Sequence, residues 1–131
     1  MTRKILISIG LAIVLLSVEV SAKGNAEQMV QLAAKQGTLS YTLVSAYKKK
    51  DHGNAALDVI KTLESGHSKL KSSSQNDEID NMLAYLDICL KDLKVVVKKP
   101  YSSVNSQQVS DLTASLLEGS LYIQQTLKED T

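Results

Sequence analysis

From Met29 onward apolar side chains recur in alternating steps of three and four, at Met29, Leu32, Leu39, Leu43 and Ala46, with the polar Gln36 in the same stripe. That spacing lays one stripe along one side of a helix, predicted over about residues 25 to 49. The Lys48-Lys49-Lys50 run complements the negative end of its dipole, and Asp51-His52-Gly53 turns the chain. Asn54 is placed to cap a second helix with the stripe Ala56, Ile60, Leu63, His67 and Leu70. Ser72 to Asn76 form a polar connection. A third helix carries Ile79, Met82, Leu86, Cys89, Leu93 and Val96 at heptad spacing, flanked by Leu83, Leu90 and Val97, with its charges on other faces. Pro100 ends it. Asn105 and Gln108 resemble a capping box, after which Val109, Leu112, Leu116, Ile123 and Leu127 continue the pattern.

No stretch alternates with period two over a strand's length, and Gly37, Gly66 and Gly119 are the glycines that fall inside predicted helices. Four helices on short connections must run antiparallel to their neighbours. The fold class that follows is all-α, an antiparallel up-down-up-down four-helix bundle in one domain, with no internal repeat.

The segment before the first stripe has a different character. Thr2, Arg3 and Lys4 form a basic start, Ile5 to Leu16 an apolar run, and Val20-Ser21-Ala22 supplies the small residues a signal peptidase needs. Residues 1–22 therefore read as a signal peptide, with residues 23–131 as the mature domain in the periplasm. An uncleaved anchor is the rival reading, but a membrane span needs roughly twenty apolar residues and Glu19 interrupts this run. No cysteine lies near the cut to carry a lipid. The lone Cys89 falls on the third helix's seam, where a buried thiol is expected rather than a reactive one.

Composition narrows the chemistry. Taking Arg3, Lys4 and Glu19 away with the leader reduces fifteen basic and fourteen acidic side chains to thirteen of each, and a neutral domain has no field to draw it onto nucleic acid. The mature part has no arginine, tryptophan or phenylalanine, so no guanidinium fork is present to clamp phosphate or carboxylate. Two histidines and one cysteine make no nucleophile-base pair at recognisable spacing, so no enzymatic activity and no cofactor are expected. Small b-type cytochromes share the size and fold and an early methionine such as Met29, but residues 107 to 129 contain no histidine for a haem. His67 accordingly reads as a core or helix-end histidine rather than a metal ligand.

The segment from Leu32 to Tyr47, through Leu32, Ala33, Lys35, Gln36, Leu39, Ser40, Ala46 and Tyr47, resembles the first-helix signature of the NarX-like sensor domain. That domain is the periplasmic four-helix module of nitrate/nitrite-sensing histidine kinases and of PilJ-type transducers of type IV pili. The match covers about an eighth of the chain; the later helices agree in layout only. In nitrate-sensing members an arginine of this signature, contributed by both subunits, holds the anion. Here that position is Gly37, with Tyr41 where glutamine is usual and Ala34 where glycine is usual. The resemblance thus implies a sensor-like binding module without the family's nitrate clamp, released as a free exported protein.

On this reading Gln36, Gly37, Ser40 and Tyr41 are the candidate residues for a ligand or a dimer interface. The partners expected are a small molecule or anion, a membrane receptor, and a second copy joined through the first and fourth helices, with its axis near Gln36 and Gly37. Single buried amides in coiled coils support a plainer role for Gln36, fixing register. Tyr41 and Tyr47 likewise read as core rings with their hydroxyls at the edge. The alternative function is a structural or chaperone-like interaction protein, which would expose a contiguous apolar patch.

Overall fold

The computed structural model describes residues 10–49, 51 and 53–129, with side chains from residue 26. The leader read in residues 1–22 lies outside the described side chains. Four helices, α1 (Gly10–Tyr47), α2 (Asn54–Ser73), α3 (Asp77–Val96) and α4 (Ser103–Glu129), make up the protein, with no strand among the described residues. Contacts run from α1 to α2, α2 to α3, α3 to α4 and α4 back to α1, the closed ring of an antiparallel four-helix bundle. Among the described residues no helix is long and apolar enough to cross a membrane.

The second stripe buries all five of its predicted positions. The other three shift in a consistent way. Leu32, Leu39, Met82 and Leu112 are only half-buried, and in each case the next residue along, Ala33, Ser40, Leu83 or Thr113, is the buried one. Hydropathy marks the largest apolar residue of each turn, whereas burial follows the centre of the arc between two neighbouring helices. At three of these four positions that centre is small, which is what lets the helices close up. The buried hydroxyls stay satisfied by their own helix: Ser40 Oγ donates to Gln36 O at 2.9 Å, Thr113 Oγ1 to Val109 O at 2.6 Å and Ser120 Oγ to Leu117 O at 2.9 Å.

Helix ends differ from the sequence pattern in detail. Asn54 is the first residue of α2 rather than its cap; Gly53 precedes it with a φ of 79°, and the Asp51 carboxylate accepts from Ala55 N at 3.0 Å. Glycine is required there twice over, because a Cβ on Gly53 would run into the Val97 carbonyl and φ lies in the left-handed region. Asn76 caps α3 by accepting from Glu78 N and Ile79 N, and Asp77, Glu78 and Asp80 reinforce the positive end of the dipole. At α4 the cap is Ser102, which accepts from Asn105 N at 3.0 Å; Asn105 turns back and donates to Pro100 O at 2.7 Å. The capping function thus sits three residues ahead of the predicted Asn105. Of the lysine run, Lys48 and Lys49 follow the end of α1, while Lys50 lies outside the described residues.

Aliphatic side chains from all four helices fill the core, with Leu43, Ile60, Leu63, Ile79, Leu93 and Ile123 at its centre. Cys89 is buried among them, and burial pushes its thiol pKa up. Tyrosines contribute less than expected. Tyr47 is buried with its ring 5.2 Å from that of Tyr101, but Tyr41 is exposed, as are Tyr85, Tyr101 and Tyr122. Apart from Tyr47 the tyrosine rings stay on the outside, and aliphatics fill most of the space between the helices.

Candidate functional site

Halfway along the bundle the apolar core is interrupted by a polar layer. Gln36 of α1 donates from Nε2 to the Leu63 carbonyl of α2 at 2.8 Å, although that carbonyl already belongs to a helix. Its Oε1 is buried with no hydrogen-bond partner and lies where a Cβ on Gly66 would stand. Gly66 is therefore the space that the Gln36 amide occupies. Gly37 does the same for α4, since a Cβ there would come within 2.8 Å of Ser120 Oγ and 3.3 Å of Leu117 Cδ1. Gly119 makes room for Leu86 of α3, whose methyls would lie 2.6 and 2.8 Å from a Cβ. Gly37, Gly66 and Gly119 thus mark one level of close approach, which offsets the roughly 1 kcal/mol that each costs a helix.

His67 stands in this layer, 4% exposed. Its Nε2 is 2.9 Å from Asp87 Oδ1 of α3, a contact that becomes an ion pair only when the ring is protonated. Lys71, one turn along α2, donates to the other carboxylate oxygen at 2.9 Å. Burial holds the imidazole pKa below its usual value against the opposing pull of Asp87, with Lys71 adding to the depression. Burial pushes the Asp87 carboxyl the other way, but the hydrogen bond from Lys71 and the neighbouring positive charges outweigh it and hold the pKa below the usual range.

Gln36, Ser40, His67 and Ser120, with leucines of α2, α3 and α4 around them, line a cavity offering about 10 Å³ to the centre of a water molecule. That is room for roughly one water. A second hollow lies on the outside between α1 and α4, about 180 Å³, formed by Ser40, Tyr41, Val44, Ser110, Thr113, Ala114 and Leu117. Of the four candidates, Gln36, Gly37 and Ser40 are buried, and Tyr41 is 68% exposed. Ser40 is the one residue shared by the inner cavity and the outer groove. Gly37 faces α4 of its own chain, so the second helix it admits is an intramolecular one.

The sequence pattern singled out Gln36 and His67 as polar members of apolar stripes. It did not link His67 to Asp87 and Lys71, nor Gln36 to Gly66 and Ser120. The lysine was within reach, one turn from the histidine on one face; the cross-helix partners depend on the register between helices, which no local pattern carries. Among the described residues no group of three or more His, Cys, Asp or Glu side chains is placed to hold a metal ion. No family model, curated protein or solved structure matches this chain.

Proposed function

We propose that the protein is a non-enzymatic, exported, sensor-like binding module similar to the NarX-like domain, acting as a homodimer through the outer face of α1 and α4 and recognising a partner protein. One observation carries this reading: the middle of that face, between Glu27 and Lys128 at one end and Lys48 at the other, is uncharged and grooved. Ala34, Thr38, Tyr41 and Ser45 stand out from α1 at successive turns, and Ala114 and Leu121 from α4, with the groove between them. Small side chains permit close approach of a second helix pair, and an exposed tyrosine is a common interface anchor. A two-fold axis at this level would run by Thr38 and Tyr41 on the surface. The inner cavity admits about one water, which favours a partner protein over a solute held in the core.

Sedimentation velocity of the exported form tests this reading. A dimer is expected, and Tyr41→Glu or Ala114→Glu should convert it to a monomer with unchanged helical circular dichroism, because a self-complementary interface sets each new charge near its own copy. A wild-type protein that stays monomeric at high concentration sinks the proposal.

A second reading, a structural or chaperone-like interaction protein, is favoured by α3, where Ile88 and Val95 are each 59% exposed on one outward face. Replacing both by lysine would abolish client binding on that reading and leave a homodimer intact on the first.

A further inference from the structure

We propose that the end of the bundle formed by the α1–α2 and α3–α4 turns is a docking tip for an anionic lipid surface. Lys48, Lys49, Lys98 and Lys99 meet the headgroup phosphates there, and Tyr101 and Val104 enter the interface beside them. Packing brings the two turns together. Gly53 of the first lies against Val97 at the end of α3, where a Cβ would stand 3.9 Å from Lys98 Cα, and the Tyr47 ring is 5.2 Å from that of Tyr101. The last turns of α1 and α3 hold the lysine backbones: Lys48 N and Lys49 N donate to Val44 O and Ala46 O, and Lys98 N and Lys99 N to Val95 O and Val96 O. All four side chains are exposed, and none pairs with a carboxylate among the described residues. Asp51, in the first turn, accepts instead from Ala55 N at 3.0 Å.

Net neutrality conceals this polarity. Thirteen basic and thirteen acidic side chains balance over residues 23–131, yet at the opposite end α3 opens with Asp77, Glu78 and Asp80, so the domain has the field of a dipole. Helix dipoles account for cations at the ends of α1 and α3. They do not account for Val104, 71% exposed, or Tyr101, 40% exposed, which stand just after Lys98, Lys99 and Pro100. A soluble polyanion would gain nothing from a bare valine in the first turn of α4. A lipid interface would, because phosphates take the ammonium groups, a tyrosine ring sits at headgroup level and an aliphatic side chain leaves water. Contact of this kind is peripheral, in keeping with the lack of a spanning helix among the described residues. It does not rest on the proposed dimer, whose groove lies on the side of the bundle at Ser40, Tyr41 and Thr113.

Cosedimentation of the exported protein with vesicles tests the tip. Equimolar phosphatidylcholine and phosphatidylglycerol should bind it, and phosphatidylcholine alone should not. Each lysine near an anionic surface is worth about fivefold in partitioning, so Lys48→Gln with Lys49→Gln, or Lys98→Gln with Lys99→Gln, should weaken binding roughly twentyfold or more. Helical circular dichroism should stay unchanged, since these side chains are exposed. Lys35→Gln with Lys69→Gln removes the same charge from exposed positions elsewhere and should leave binding nearly as it was. Val104→Ser, with all four lysines in place, should cost roughly tenfold. Equal binding to both kinds of vesicle overturns the proposal, as do equal losses from the tip pairs and the Lys35, Lys69 pair. Full binding by Val104→Ser also overturns it, since the lysines would then read phosphate alone, as they would on a soluble anion. So does salt-sensitive pelleting without vesicles, which would set the lysines of one copy on the Asp77 end of another. A protein that stays monomeric should bind vesicles all the same, so failure of the tip and failure of the dimer are told apart.

Discussion

The α1–α4 and α2–α3 seams lie on opposite sides of one bundle and are held by different physics. The first is the most extensive interface of the ring and is built from small residues, with Gly37, Ser40, Thr113 and Ser120 at the crossing. No ion pair crosses it among the described residues. The second is the thinnest, is spaced by leucines and an imidazole, and is bordered by two ion pairs and the contact of His67 with Asp87. Where side chains at a crossing are small, backbones approach and dispersion between many atoms accumulates. Where they are large the helices stand apart, and polar groups along the edge set the register instead. Two seams of one bundle can therefore respond to different perturbations: volume at one, protons and salt at the other.

The largest effect is expected from adding volume to the first seam. Gly37→Val sets a Cβ within 2.8 Å of Ser120 Oγ and 3.3 Å of Leu117 Cδ1 and adds two methyls beyond it. Overpacking of this kind costs about 1–3 kcal/mol, more than the few tenths that valine gains over glycine in helix propensity. Urea unfolding should show a lower midpoint with an unchanged slope. An unshifted midpoint would mean that the crossing has slack and that the contrast between the seams is overstated.

Gln36→Leu should act in the opposite direction and less strongly. The wild-type amide leaves Oε1 buried without a partner, at a cost of about 1–3 kcal/mol, while Nε2 donates to a carbonyl that a helix already uses. Leucine removes both groups, so stability should stay level or rise by up to about 1 kcal/mol in the same urea measurement. A loss larger than that would show that the amide holds α2 against α1. The acid limb of stability should then isolate the second seam. The Asp87 carboxyl has a folded pKa below its ordinary 3.8, so the unfolded chain takes up this proton first as pH falls. The stability it confers is present above that value and lost as pH drops through the folded pKa. Asp87→Asn should flatten the part of a denaturation-midpoint profile below about pH 5 and, by removing the carboxylate that raises the proton affinity of His67, deepen the loss that protonation of that ring brings at higher pH. An unaltered profile would assign the acid limb to other carboxylates.

These contrasts also show what the amino-acid pattern could and could not convey. All five stripe positions of α2 are buried because Ala56, Ile60, Leu63, His67 and Leu70 lie at the centre of their arc. In α1 and α4 the pattern pointed one residue early at Leu32, Leu39 and Leu112, since hydropathy favours the larger neighbour and cannot see how closely another helix approaches; in α3 heptad spacing chose Met82 over the equally apolar Leu83. Ser40 and Thr113 look polar in sequence and are core residues in fact, their hydroxyls returned to their own backbone. Gln36 and His67 were legible as polar interruptions of apolar stripes. Their partners were not, because pairing Gln36 with Gly66, or His67 with Asp87, requires the relative heights of three helices. Gly37, Gly66 and Gly119 looked like exceptions to helical sequence; at known heights they become the clearest signal of where the bundle is tightest.

The smallest effect concerns salt. Lys71–Asp87 and Lys94–Glu64 join partly exposed side chains across 2.9 and 3.1 Å, and such pairs contribute roughly 0.2–1 kcal/mol each before screening. At 1 M salt the Debye length falls to about 3 Å, so most of that contribution should vanish. Global unfolding would register only a few tenths of a kcal/mol, within the scatter of a urea midpoint. Amide exchange resolves it by place: facing residues of α2 and α3 should exchange slightly faster in sodium chloride, while those flanking Gly37 and Ser120 should not. Because salt also strengthens burial of apolar surface, a crossing held by dispersion alone should if anything gain protection. Equal acceleration at both seams would therefore break the comparison, since it could arise only if charge contributed to the α1–α4 crossing as well.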